Sequence, residues 1–171
     1  DLNGPLPTTE ILRIGLQTAA GLAAAHEQGV IHRDVKPANI LMEMGIERVL
    51  LTDFGLARTV DEASLTHTGV VAGTPHYMSP EQANGEVADH RTDLFSLGAV
   101  LYISRPPFRA ERALGVLHRI INDRHRPLWE TNPDIFEELS DLIDRLLEKR
   151  PPRCYCARRE FDTRPRGRMK P

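Results

Sequence analysis

Apolar residues recur at helical spacing from Ile11 onward, with Ile14, Leu16, Ala19, Leu22 and Ala23 following and His26 completing the stripe. Thr8 or Thr9 stands where an N-cap belongs, Glu10 falls in the favourable first turn, and Gly29 marks a stop. The Ala-rich run from Ala19 to Ala25 predicts close packing against a neighbour. A short apolar step, Val30-Ile31-His32, then leads into a polar loop. Ile40–Met42 and Arg48–Thr52 read as two short strands, with Met44-Gly45 as the hairpin turn between them. Residues 56–78 are rich in Thr, Ser and Gly and predict a long loop, a feature that is uncommon inside a compact domain and usually functional. From Asp93 to about Ser104 the chain is apolar almost throughout, which predicts a buried helix capped by Thr92 or Asp93. Residues 110–122 and 134–149 predict two amphipathic helices, the second with Ile135, Leu139, Leu142, Ile143, Leu146 and Leu147 on one stripe. The pattern as a whole predicts a mainly α fold with a small β-hairpin.

Composition changes this picture at one place. A chain of 171 residues supplies one domain with a real core, and its 40% apolar content is ordinary for a globular protein. The net charge of −2 gives no field that would draw nucleic acid. Residues 1–150, however, carry 15 Lys and Arg against 22 acidic residues, and residues 151–171 carry 7 against 2. The tail after Arg150 holds four prolines, six arginines and both cysteines, and it has lost the apolar periodicity. Cys154 and Cys156, separated by one residue, make a poor disulfide framework and, with no second ligand pair, a poor zinc site, and read as two free thiols in a reducing cytoplasm. Trp129, in a proline-rich connector, reads as a packed side chain, and the scattered histidines show no metal spacing. No apolar run approaches the length of a bilayer span, so a cytoplasmic position without a membrane segment is expected. The chain begins at Asp1 rather than Met, as a fragment or processed product would.

The chemistry is concentrated in two runs, His32-Arg33-Asp34-Val35-Lys36-Pro37-Ala38-Asn39 and Asp53-Phe54-Gly55. Phosphoryl transfer asks a protein for positioning and charge stabilisation rather than for covalent work. Asp34 suits acceptance of a hydroxyl proton, and Lys36, two residues on in an extended loop, can reach the same side to meet a phosphoryl group. Asn39 offers a neutral oxygen and Asp53 a charged one, the hard ligands that Mg²⁺ prefers. Taken singly, each is an ordinary polar loop residue. Their order, with 19 residues from Asp34 to Asp53, is what carries meaning.

On these runs, and on Gly73-Thr74-Pro75-His76-Tyr77-Met78-Ser79-Pro80-Glu81 and Asp93-Leu94-Phe95-Ser96-Leu97-Gly98, the chain resembles the C-terminal lobe of a bacterial serine/threonine protein kinase of the eukaryotic-like type. The resemblance implies a kinase-like C-lobe over residues 1–149, followed by an atypical basic tail over 150–171. It implies ATP and Mg²⁺ as cofactors and a protein Ser or Thr hydroxyl as acceptor. Asp34 becomes the catalytic base, Lys36 the phosphate contact, and Asn39 and Asp53 the magnesium ligands. Arg33 would pair with a phosphate on the long loop, where Thr66 and Thr68 stand at the positions modified in related kinases. Thr74 and Glu81 take structural roles, and Asp93 would hold the catalytic loop through its backbone N–H groups. Lys36 and Thr74 resemble the serine/threonine branch rather than the tyrosine branch.

Three departures stand beside the resemblance. Only 31 residues precede His32 and no Gly-x-Gly-x-x-Gly occurs, so the nucleotide-covering N-terminal lobe is expected to be absent from this chain. Leu101-Tyr102-Ile103-Ser104-Arg105-Pro106-Pro107-Phe108 is shorter than its counterpart in similar kinases by nearly a helical turn. The tail lacks the family's final helix and has the composition of an out-of-frame extension; Arg153 is the residue left to pair with Glu81. The competing expectation is a non-catalytic kinase remnant that keeps a protein-docking lobe.

Overall fold

The computed structural model describes residues 7–43, 48–54, 75–102, 105–131 and 135–149. The first helix, α1, spans Thr8–Glu27 and buries Ile11, Ile14, Gly15, Thr18 and Leu22. Leu16, expected on the inner stripe, lies outside it and is exposed. Its offset of two from Ile14 turns it away, whereas 11, 14, 15, 18 and 22 follow the 3–4 spacing of one helix face. Thr8 is already helical and Pro7 is the N-cap, with no side-chain cap. Proline's fixed φ and the acceptance by its carbonyl of the Glu10 and Ile11 N–H groups start the helix instead. At the other end Gly29 adopts φ +74°, and Gly29 N–H and Val30 N–H return to His26 O and Ala25 O. That pair of bonds is the Schellman stop.

A 3₁₀ turn at Pro37–Asn39 runs into strand β1, Ile40–Met42, which pairs antiparallel with β2, Val49–Leu51, in the register Ile40 to Leu51. The expected turn at Met44-Gly45 lies outside the described residues. So does most of the expected loop, but its last part, Pro75–Tyr77, is a 3₁₀ turn rather than loop. Helix α2 follows at Pro80–Ala83.

The centre of the molecule is α3, His90–Leu101, in which residues 92–99 are all buried. Its cap is Asp89, whose side chain accepts from Arg91 N–H, and not Thr92 or Asp93. The helix therefore begins a turn earlier than the apolar run, and Thr92 and Asp93 are free to bond elsewhere. Ser96 donates to Tyr77 O at 2.6 Å, and Thr92 donates to Glu81 Oε1 at 2.5 Å. The polar side of α3 thus fastens the 75–83 segment, and its apolar side packs on α1 and on the last helix, α6, Glu137–Leu146. A Cβ at Gly98 would stand 2.7 Å from Leu146 Cβ, so only glycine permits the approach of α3 to α6. Helix α3 ends at Leu101, and Tyr102 leaves it with its hydroxyl donating to Arg126 O.

Two shorter helices complete the base. They are α4 at Ala113–Asn122, which buries Val116 and Ile120, and α5 at Leu128–Thr131. Trp129 is 59% exposed, contrary to the packed reading, because Leu128 beside it takes the inward position. Phe108 is buried and stacks on Phe95 at 6.2 Å. Lys149 lies over the Phe108 ring and donates to Arg119 O and Ile120 O near the end of α4. Among the described residues no helix is long and apolar enough to cross a membrane.

Candidate active site

The polar loop between α1 and β1 is suspended from α3. Asp93 is fully buried, and its carboxyl group accepts from His32 N–H at 2.9 Å, Arg33 N–H at 2.7 Å and His26 Nε2 at 2.7 Å. Three donors on one buried carboxyl group satisfy an otherwise costly polar residue. His32 is also buried; its Nε2 donates to Thr52 O at 2.8 Å, while its Nδ1 accepts from Asp34 N–H at 3.3 Å. Those partners assign the proton to Nε2. The ring lies 4.7 Å from that of Phe54.

Arg33, the pivot of the loop, has φ +65°, and Asp53, where β2 gives out, has φ +59°. Left-handed backbone at a non-glycine residue costs on the order of 1–3 kcal/mol and persists only where its surroundings hold it. Arg33 is held on both sides. Asp93 takes its N–H, and Gln82 Nε2 donates to its carbonyl at 2.8 Å.

Beyond this pivot the candidate residues converge. Lys36 Nζ lies 2.7 Å from Asp34 Oδ2. Asn39, buried, donates through Nδ2 to Asp34 O at 2.8 Å and to Asp34 Oδ2 at 3.2 Å. Both donors use the same carboxylate oxygen, and Asp34 Oδ1 has no hydrogen bond among the described residues. Thr52 N–H and hydroxyl both return to Asn39 O, at 2.9 and 3.3 Å, so Asn39 and Asp53 share one end of the hairpin.

The fit of this end to a divalent cation rests on its donor set. Asn39 spends its amide nitrogen on Asp34, which leaves its oxygen as the unengaged end, and the Asp53 carboxylate is exposed with no partner among the described residues. One amide oxygen and one carboxylate suit Mg²⁺, which keeps few protein ligands and takes the remainder from water and phosphate. No group of three His, Cys, Asp or Glu among the described residues makes a rival metal centre.

Asp34, Lys36, Asn39 and Asp53 are thus brought to one edge, with Arg33 exposed beside them. Glu81 lies behind the loop, bonded to Thr92. Gly55, Thr66, Thr68, Thr74 and Arg153 lie outside the described residues. His32, His26 and Gln82 are structural partners that the motif reading did not assign. Gln82 had a signal in the sequence, since Ser79-Pro80-Glu81-Gln82 is a capping box with proline at N1.

Comparison with known proteins identifies the family. The protein kinase domain family matches residues 2–160, and the chain belongs to that family. It is similar to a probable serine/threonine-protein kinase of Clostridium perfringens, with 42% identity over 92% of this chain and 23% of that protein. It is similar also to the serine/threonine-protein kinase PkaA of Streptomyces coelicolor, with 41% identity over 87% of this chain and 28% of that protein. The serine/threonine-protein kinase PrkC of Bacillus subtilis shares 36% identity over 87% of this chain and 23% of its own length. The chain spans about a quarter of the length of these relatives.

Proposed function

We propose that this chain is the C-terminal lobe of a serine/threonine protein kinase and carries the residues that transfer the ATP γ-phosphate to a protein hydroxyl. The observation that carries the reading is the convergence of Lys36 and Asn39 on one oxygen of Asp34, which leaves the other oxygen for an incoming hydroxyl. Asp34 orients that hydroxyl and accepts its proton as the new P–O bond forms and the bond from the γ-phosphorus to the β,γ-bridging oxygen breaks, with ADP as the leaving group. Lys36 meets the phosphoryl charge from the same side. The oxygens of Asn39 and Asp53 would hold Mg²⁺, which when bound to ATP neutralises charge on the phosphates. Phosphate on Thr66 or Thr68 would be met by the exposed Arg33, as a doubly charged group pairs with a guanidinium.

The lobe assignment is supported by the hairpin. Leu41, Met42 and Leu50 are large apolar residues left exposed on a two-stranded sheet. An N-lobe packed on this hairpin would cover such a surface and bring the remaining ATP contacts. We set the lobe at residues 1–149 and the basic tail at 150–171, on the loss of periodicity and the reversal of charge there. A cytoplasmic setting follows from the need for ATP and a protein substrate.

The test is Mg²⁺-dependent transfer of labelled γ-phosphate to a generic Ser/Thr protein substrate, with Asp34→Asn as control. Asp34→Asn should reduce transfer by roughly 10²–10⁴-fold, the range of a general base. Equal transfer by Asp34→Asn and the parent would overturn the assignment. Absence of transfer by the parent, with no Mg·ATP-dependent rise in its melting temperature, would favour the non-catalytic docking module.

A further inference from the structure

We propose that Gln82 is a positioning residue for Asp34, acting through the peptide plane between Arg33 and Asp34. The proposal rests on the assignment of Asp34 as the base.

That plane carries two polar groups, the carbonyl of Arg33 and the N–H of Asp34. Gln82 Nε2 holds the first at 2.8 Å and His32 Nδ1 holds the second at 3.3 Å. The preceding plane is held separately, through Arg33 N–H on Asp93. Asp93 therefore governs φ of Arg33 and Gln82 governs its ψ, and the two together keep the residue at φ +65°. Rotation of the second plane would carry the Asp34 Cα–Cβ bond with it. It would also break the convergence of Lys36 and Asn39 on one carboxylate oxygen.

Gln82 is itself fixed, and by its other end. Its Oε1 accepts from Ser79 N–H at 3.1 Å, and Gln82 N–H donates to Ser79 Oγ at 3.4 Å in the capping box of α2. Ser79 is fully buried and lies 3.4 Å from Thr92 Oγ1, so the box is anchored on α3. An amide is the group this position requires. Its oxygen serves the cap and its nitrogen serves the loop, and a carboxylate could do only the first.

Gln82→Glu is the discriminating variant, because it keeps the acceptor for Ser79 and replaces the donor to Arg33 with an oxygen. Two readouts on the full chain separate this proposal from the kinase assignment. The first is amide exchange at Asp34, followed by NMR, with the melting temperature as control. We expect exchange at Asp34 to accelerate by roughly tenfold, the effect of losing one net hydrogen bond of about 1.4 kcal/mol, with the α3 and α6 amides unchanged. The second is phosphate transfer, in which kcat should fall by roughly ten- to a hundredfold while KM for ATP stays constant, as misplacement of a reacting group does. Unchanged Asp34 exchange would overturn the proposal whatever the activity. Accelerated exchange with unchanged kcat in an active protein would overturn it too, since the clasp would then be structural only. If the parent transfers no phosphate, the kinase assignment fails on that result, and the exchange measurement still decides the clasp. Should Gln82→Glu fail to fold, Gln82→Ala carries the same two measurements, because it removes the same donor without adding charge.

Discussion

The crossing of α3 and α6 and the loop from His32 to Asn39 are built on opposite terms. At the crossing, contact is apolar and tight, and Gly98 leaves no room for even a methyl group beside Leu146. In the loop, Asp34 and Lys36 are 43% and 37% exposed, Arg33 is in a left-handed conformation, and hydrogen bonds add to the packing of one apolar side chain, Val35. The crossing draws its stability from area removed from water, at about 25 cal/mol per Å². The loop is pinned to the core by Val35, and its left-handed pivot is held in a costly shape by hydrogen-bond partners outside the loop. A rigid base can therefore carry a strained, hydrated edge, provided that a few groups join the two.

Asp93 is the chief of those groups, and its removal should break both regions at once. Asp93→Ala leaves His26 and two backbone N–H groups without their acceptor. We expect a loss of about 3–5 kcal/mol in chemical denaturation, the usual cost of removing one partner from a buried charged cluster, together with loss of phosphate transfer. Stability within 1 kcal/mol of the parent would show that the loop does not hang on this residue. Asp34→Asn should separate the regions instead, with transfer reduced as above and the denaturation midpoint nearly unchanged, because the side chain is half exposed.

Gly98→Ala tests the other side of the comparison. The added methyl would fall within 2.7 Å of Leu146 Cβ and must spread the two helices. Overpacking of this kind costs about 1–3 kcal/mol, read as a lower denaturant midpoint. A midpoint equal to that of the parent would mean that the crossing is looser than its geometry.

The smallest expected effect concerns pH. Burial lowers the Lys149 pKa to about 8, with the Asp123 carboxylate acting the other way. The unfolded lysine keeps its ordinary value near 10.4, so between about pH 8 and 10.4 the unfolded chain binds more protons than the folded one. Stability should rise with pH across that window, and the slope should flatten in Lys149→Met. A falling slope in the parent that Lys149→Met abolishes would reverse the sign and refute the account.

The residues of the edge were legible in sequence because their chemistry is local. Asp34, Lys36 and Asn39 lie within six positions, and an extended loop with a 3₁₀ turn is enough to bring them together. The long apolar stripes likewise announced α1, α3 and α6. What escaped was whatever depends on distant partners. The start of α3 was misplaced because Asp89, an ordinary polar residue in the sequence, outcompetes Thr92 and Asp93 for the cap once those two are engaged by Glu81 and by the loop. Trp129, in its proline-rich connector, reads as packed, and a single-turn helix with Leu128 at its inward position leaves it outside. His26 looked like one more residue of a helical stripe, and only the approach of α1 to α3 shows its imidazole on Asp93.

The bonds that suspend the loop also bear on the order in which the chain acquires its shape. The helices close on bonds three or four residues apart and can form early and locally. Asp93, by contrast, reaches Arg33, His32 and His26 across 60, 61 and 67 residues of sequence. Contacts of such separation form only after the entropy of a long closure has been met. The loop therefore takes its final geometry late, after the helices it hangs from. A folding chain should pass through forms that are already rich in helix while the loop has not yet taken its final shape, which arrives with the last long-range bonds.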